Sequence, residues 1–68
     1  MTTYEVFAEE ADCSLYTYEG LATNNKARAI KDARALAASA RKRGDTARGV
    51  GVYNRATEST VMLFKVAP

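Results

Sequence analysis

Asn25-Lys-Ala-Arg-Ala-Ile-Lys-Asp-Ala-Arg-Ala-Leu-Ala-Ala-Ser-Ala-Arg-Lys-Arg-Gly44 is the stretch on which the fold turns. At about 100° per residue, Ala29, Ile30, Ala33, Leu36, Ala37 and Ala40 share one stripe, and Arg28, Lys31, Asp32, Ala35, Ala38, Ser39 and Lys42 lie largely opposite. This spacing predicts one amphipathic helix from Lys26 to about Lys42. Asn25 is suited to cap it, because its side-chain oxygen can accept from amide donors left free in the first turn. Gly44 is suited to end it, since glycine tolerates the left-handed conformation that follows a last turn. The apolar stripe is mostly alanine, which has the best helix propensity and lets a helix axis come close to a sheet.

The flanks supply the sheet. Residues 3–9 alternate, with Tyr4, Val6 and Ala8 on one side and Thr3, Glu5, Phe7 and Glu9 on the other, as in a strand. Glu10, Ala11 and Asp12 read as a turn, and Ser14 to Glu19 is rich in aromatic and β-branched residues suited to an antiparallel return strand. After the helix, residues 47–54 and 60–66 alternate again around a polar loop from Asn54 to Ser59. The expected fold class is therefore α+β, ββαββ in order: a four-stranded antiparallel sheet with one helix on one face, in a single domain over residues 1–68. One helix leaves the other face open to water or a partner. If the aliphatic sets meet the helix, Phe7, Tyr16, Tyr18 and Tyr53 form an open aromatic surface.

Charge is divided along the chain. Residues 1–25 carry five acidic and no basic side chains, whereas residues 26–68 carry ten basic and three acidic, so that −5 and +7 sum to the net +2. Such a separation predicts an electropositive region able to attract a polyanion. The 47% apolar content suits a folded domain, although a chain of 68 residues can form only a thin core. Self-association is a common remedy for a core this small.

Several chemistries are disfavoured by residue type. With no histidine and one cysteine, the usual zinc sets and the Ser-His or Cys-His nucleophile arrangements cannot be assembled within one chain. Cys13 cannot form an internal disulfide and fits a reducing compartment. No apolar run approaches a membrane span, and the N-terminal Met1-Thr2-Thr3-Tyr4-Glu5 lacks the pattern of a secretion leader, so a cytoplasmic protein is expected. Glu9, Glu10 and Asp12 cluster without a ligand loop and read as a solvated hairpin tip. Gly49-Val50-Gly51 lies in a strand and does not lead into a helix as phosphate-binding loops do; it reads as a place of close approach by the helix or another chain, or as a bulge. No metal, cofactor or small-molecule substrate is expected, nor an enzyme.

The helix motif, placed between a Tyr-rich hairpin and a strand ending Val52-Tyr53-Asn54-Arg55, resembles an uncharacterised family of small bacterial proteins with Lys-Ala-x-Ala-Ile and Ala-Arg-x-Leu-Ala on the helix. The resemblance covers about half the chain and implies the strand-strand-helix-strand-strand order. That family has no established activity, so no residue role follows. In size and layout the chain is also similar to small phage-encoded inhibitors of host nucleic-acid machinery.

Arg34, Arg41, Lys42, Arg43, Arg48 and Arg55 are the expected anionic-partner site, with Arg28, Lys31 and Lys65 extending the field. Basic groups in a last helical turn also complement the helix dipole, so a purely structural role is the competing reading. Tyr16, Tyr18 and Tyr53 are candidates for stacking on single-stranded bases or for a dimer surface. The expected function is a non-enzymatic binding or regulatory module contacting nucleic acid or an acidic protein, of phage or mobile-element origin. The alternative is a structural homodimer that buries its open sheet face or joins edge strands.

Overall fold

The computed structural model describes residues 2–66. In chain order the elements are β1 (Tyr4–Glu9), β2 (Leu15–Thr23), α1 (Lys26–Arg43), β3 (Gly49–Asn54) and β4 (Ser59–Lys65). They form a four-stranded antiparallel sheet of order β2-β1-β3-β4, with α1 packed chiefly over β3 and β1. The expected α+β class and ββαββ order are those observed.

The ends of α1 follow from local chemistry. Asn25 is extended (φ −102°, ψ 107°), and its side-chain oxygen accepts from the Arg28 amide at 3.1 Å. At the other end Gly44 has φ 71°; its amide donates to the Arg41 carbonyl at 3.1 Å, and the Asp45 amide to the Ala40 carbonyl at 2.9 Å. This closes the helix in a Schellman motif. Asp45 then turns the chain into β3, accepting from the Ala47 amide at 2.9 Å and from the Arg43 guanidinium at 3.3 Å.

Ala29, Ala33, Ala37 and Ala40 are buried against Val6, Ala8, Val50, Val52 and Val66. Ile30 and Leu36 pack at the margin of this cluster, as do Tyr4, Tyr18, Leu21, Val61 and Phe64. Val6 and Val52 are the largest side chains fully buried. Each contributes about 1.5–3 kcal/mol by leaving water. The core consists of small residues because alanine on the helix and valine on the two central strands allow close approach, while larger groups lie around the rim.

Register corrects one sequence expectation. Glu9 pairs with Leu15, Phe7 with Thr17 and Ala8 with Tyr16. Directly opposed residues share a face, so Tyr16 and Tyr18 lie on the helix side with Ala8 and Val6, and Leu15 lies on the open side. They do not join Phe7 and Tyr53 in an open aromatic surface. The cause is the connection between β1 and β2, in which Cys13 adopts φ 71° and the Glu10 carbonyl accepts from the Cys13 amide. That turn fixes the parity of β2, and a slip of one residue would reverse it. Beyond Tyr18 the pairing slips again, from Val6–Tyr18 to Tyr4–Thr23, so β2 runs further than expected and brings Leu21 onto the core.

Of the expected uses of the β3 glycines, approach by the helix is not the one observed. Val50 and Val52 point toward α1, which turns Gly49 and Gly51 to the open side. There a Cβ on Gly51 would stand 2.7 Å from Phe7 Cζ, and one on Gly49 3.2 Å from Leu63 Cδ1. The side chains of Phe7 and Leu63 lie over the bare backbone of β3.

Candidate functional site

Arg41, Lys42 and Arg43 form the last helical turn, and Arg48 follows on the connection to β3. All four are exposed. The Arg48 amide donates to the Glu9 carbonyl at 2.7 Å and its carbonyl accepts from the Val66 amide at 2.9 Å, which pins this connection to the ends of β1 and β4. The Arg41 guanidinium donates to the Lys65 carbonyl at 3.2 Å. One end of the molecule therefore gathers the C-terminus of α1, Arg48 and Lys65.

The other expected basic residues behave differently. Arg34 lies about two turns before Arg41 on α1, its guanidinium carbon 5.5 Å from the Phe64 ring centre, a cation–π contact that orients it. Arg55 follows β3 at the opposite end of the sheet, roughly 20 Å from Arg48 at about 3.3 Å per residue. Its Nε is 4.0 Å from Glu5 Oε1, so an opening-strand carboxylate offsets its charge. The structure groups Arg41, Lys42, Arg43 and Arg48, sets Arg34 about 10 Å before Arg41 along the helix, and separates Arg55 by more than twice the Debye length at physiological salt.

Arg43 is also engaged, with Asp45 at 3.3 Å and the Ser39 hydroxyl at 3.1 Å. Asp45 is held below the usual carboxylate value by the Ala47 amide first and by Arg43 second. Among the described residues, neither Lys42 nor Arg48 takes part in an ion pair. The turn thus offers two charges without a carboxylate partner, plus Arg41, whose donation to a backbone carbonyl leaves its charge in place.

The second surface is the open sheet face. Glu5, Phe7, Glu9, Leu15, Thr17, Tyr53, Thr60 and Leu63 line a shallow trough of about 470 Å³. Tyr53 is there as expected; Leu15 and Leu63 were missed, because alternation shows that two faces exist but not which belongs to the helix. Tyr16 and Tyr18 meet edge to face, ring centres 4.9 Å apart, on the other side. Tyr18 packs against the core, and Tyr16 remains 57% exposed at the sheet margin.

The acidic hairpin tip is organised internally. Asp12 accepts from the Ser14 hydroxyl at 2.6 Å and the Ser14 amide at 3.0 Å, interactions that lower its carboxyl pKa, the hydroxyl most. Among the described residues, no group of three His, Cys, Asp or Glu side chains is placed to hold a metal ion. Nor is any helix among them long and apolar enough to cross a membrane.

Compared with protein-family models, curated proteins and solved structures, the chain matches none of them.

Proposed function

We propose that this chain is a non-enzymatic binding or regulatory module that holds a nucleic-acid backbone against the C-terminal end of α1. Arg41, Lys42, Arg43 and Arg48 contact phosphates, and Arg34 extends the track along the helix. The observation that carries the reading is the convergence of these exposed groups at one end, where, among the described residues, Arg43 alone of the five is in an ion pair. Arg55, paired with Glu5 at the far end, is not part of the site. A reducing, cytoplasmic setting fits the solitary exposed Cys13, and a phage or mobile-element origin fits the size and layout. The resemblance to the small bacterial family adds architecture to this reading and no residue role.

Titration of labelled single- and double-stranded oligonucleotides at two salt concentrations tests it. About four phosphate contacts give a slope near −3.6 in log K against log salt for duplex, so a fourfold rise in salt weakens binding roughly 100-fold. No binding at low salt removes nucleic acid and leaves an acidic protein surface as the anionic partner.

A second reading, a structural homodimer, is favoured by the trough on the open face. Among the described residues, no element covers Phe7, Leu15 and Leu63 there, and no side chain larger than valine is buried in the core. Sedimentation across a concentration series tests this reading.

A further inference from the structure

Among the described residues, the large apolar side chains most open to solvent belong to the two outer strands. Leu15 (66%) and Tyr16 (57%) are on β2, and Met62 (38%) and Leu63 (47%) are on β4. In each strand the two are consecutive, so one points to each face. Leu15 and Leu63 line the open side, whereas Tyr16 opposes Ala8 and Met62 opposes Val52 on the helix side. A partner lying on the open face would cover Leu15 and Leu63 and leave Tyr16 and Met62 in water. A strand added along an edge covers both members of a pair at once.

We propose that β4 is the edge to which a second copy of this chain adds, antiparallel, β4 against β4. The inference rests on the homodimer reading and moves its interface from the open face to the sheet edge. Charge selects β4. The strand is preceded by Glu58, ends on Lys65, and carries the uncharged run Val61-Met62-Leu63-Phe64 between them. In an antiparallel pair the acidic head of one copy lies beside the basic tail of the other, and twofold symmetry repeats this at both ends. β2 lacks this complementarity: Asp12 and Glu19 bracket its exposed pair and Glu10 belongs to the same hairpin, so two copies would bring acid against acid. A β2-to-β4 contact is head-to-tail and leaves an open edge at each end of the growing chain.

Continuity of the ladder agrees with the choice. On β4 the register shift leaves only Val61 between the Val52–Met62 and Tyr53–Thr60 pairs, and Met62 to Lys65 runs on regularly. On β2 the shift is larger, from Val6–Tyr18 to Tyr4–Thr23, and breaks the edge directly after Tyr18. The regular part of β4 is short, which makes this a small and weak interface of the transient kind.

Sedimentation equilibrium from about 10 μM to about 1 mM is the test, a range chosen for a weak interface. The expected result is a shift toward twice the 7.4 kDa chain mass. Met62→Lys, on the face a face-on partner does not touch, should weaken the dimer tenfold or more. Glu58→Lys should weaken it by roughly tenfold, since two symmetric charge pairs become repulsive, and adding Lys65→Glu should bring the constant back to within about threefold of the parent. These charge reversals are at exposed positions and report on the interface even if Met62→Lys perturbs folding, which far-UV circular dichroism checks. A monomer at the highest concentration overturns both the edge pairing and the homodimer reading. A dimer insensitive to Met62→Lys but lost with Tyr53→Lys overturns the edge pairing alone and returns the interface to the open face. Failure of the double reversal to restore association, or loss of the dimer with Leu15→Lys, also overturns the assignment to β4.

Discussion

On the helix-covered side of the sheet, Val6, Ala8, Val50 and Val52 meet four alanines of α1, and all eight are buried. On the open side, Phe7 and Leu63 lie over Gly49 and Gly51, with Leu15, Tyr53 and two glutamates around them. The closed side uses small residues so that two backbones can approach. The open side uses glycine so that large side chains can lie flat. Charge follows the same division: α1 carries seven basic residues and one acidic, while Glu5 and Glu9 of the central strand β1 face the other way. The division is not complete, for Lys65, opposite Gly49, and Arg55, beside Glu5, bring basic groups to the open side.

Overpacking gives the largest expected difference between the sides. Ala33→Leu adds three carbons at a position with no exposure, between a helix and a sheet that have nowhere to move, and should cost about 3 kcal/mol. Gly51→Ala should cost about 1–2 kcal/mol: the Phe7 ring can swing into solvent, but the Met62 carbonyl, 2.8 Å from the new Cβ, is backbone and yields less. Urea denaturation of the two variants checks the order, and equal costs would remove the distinction between closed and open sides. Next in size, Asn25→Ala should destabilise by about 1 kcal/mol through loss of the cap to the Arg28 amide, with the same denaturation midpoint as readout.

The smallest effect is in acid. Asp45 has a folded-state pKa below its ordinary 3.8, so its contribution to stability is present above that value and is lost as pH falls through the lower folded one. Asp45→Asn should therefore flatten the fall in urea midpoint between pH 5 and pH 3, leaving Asp12, whose pKa is also lowered, to contribute to the remainder. An unchanged slope would mean that the link from α1 to β3 does not depend on that carboxylate.

Much of this architecture was legible because its periods are clean. The alanine stripe, Asn25 and Gly44 marked α1 to within a residue, and alternation in residues 3–9, 47–54 and 60–66 marked β1, β3 and β4. Strand order was not legible, since alternation says nothing of which strands are neighbours; β1 proved to lie between β2 and β3. The facing of Tyr16 and Tyr18 was misread for a related reason. The sequence supports two phases for β2, and the choice is made by the turn through Cys13, whose positive φ no pattern announces. For the basic residues, sequence proximity was a good guide to Arg41, Lys42, Arg43 and Arg48, which the end of one helix and the start of one strand bring together. It was a poor guide to Arg55, carried to the far end by β3 and met there by Glu5.

The account depends most on positive charge acting from the end of α1 and not from the molecule at large. Oligonucleotide titration at physiological salt, about 0.15 M, comparing Lys42→Glu/Arg48→Glu with Arg55→Glu, measures this directly. The double reversal should abolish detectable binding and Arg55→Glu should change it less than threefold, beyond the Debye screening length from the site. Equal losses per charge at the two ends would contradict a localised site and reduce the attraction to net charge alone.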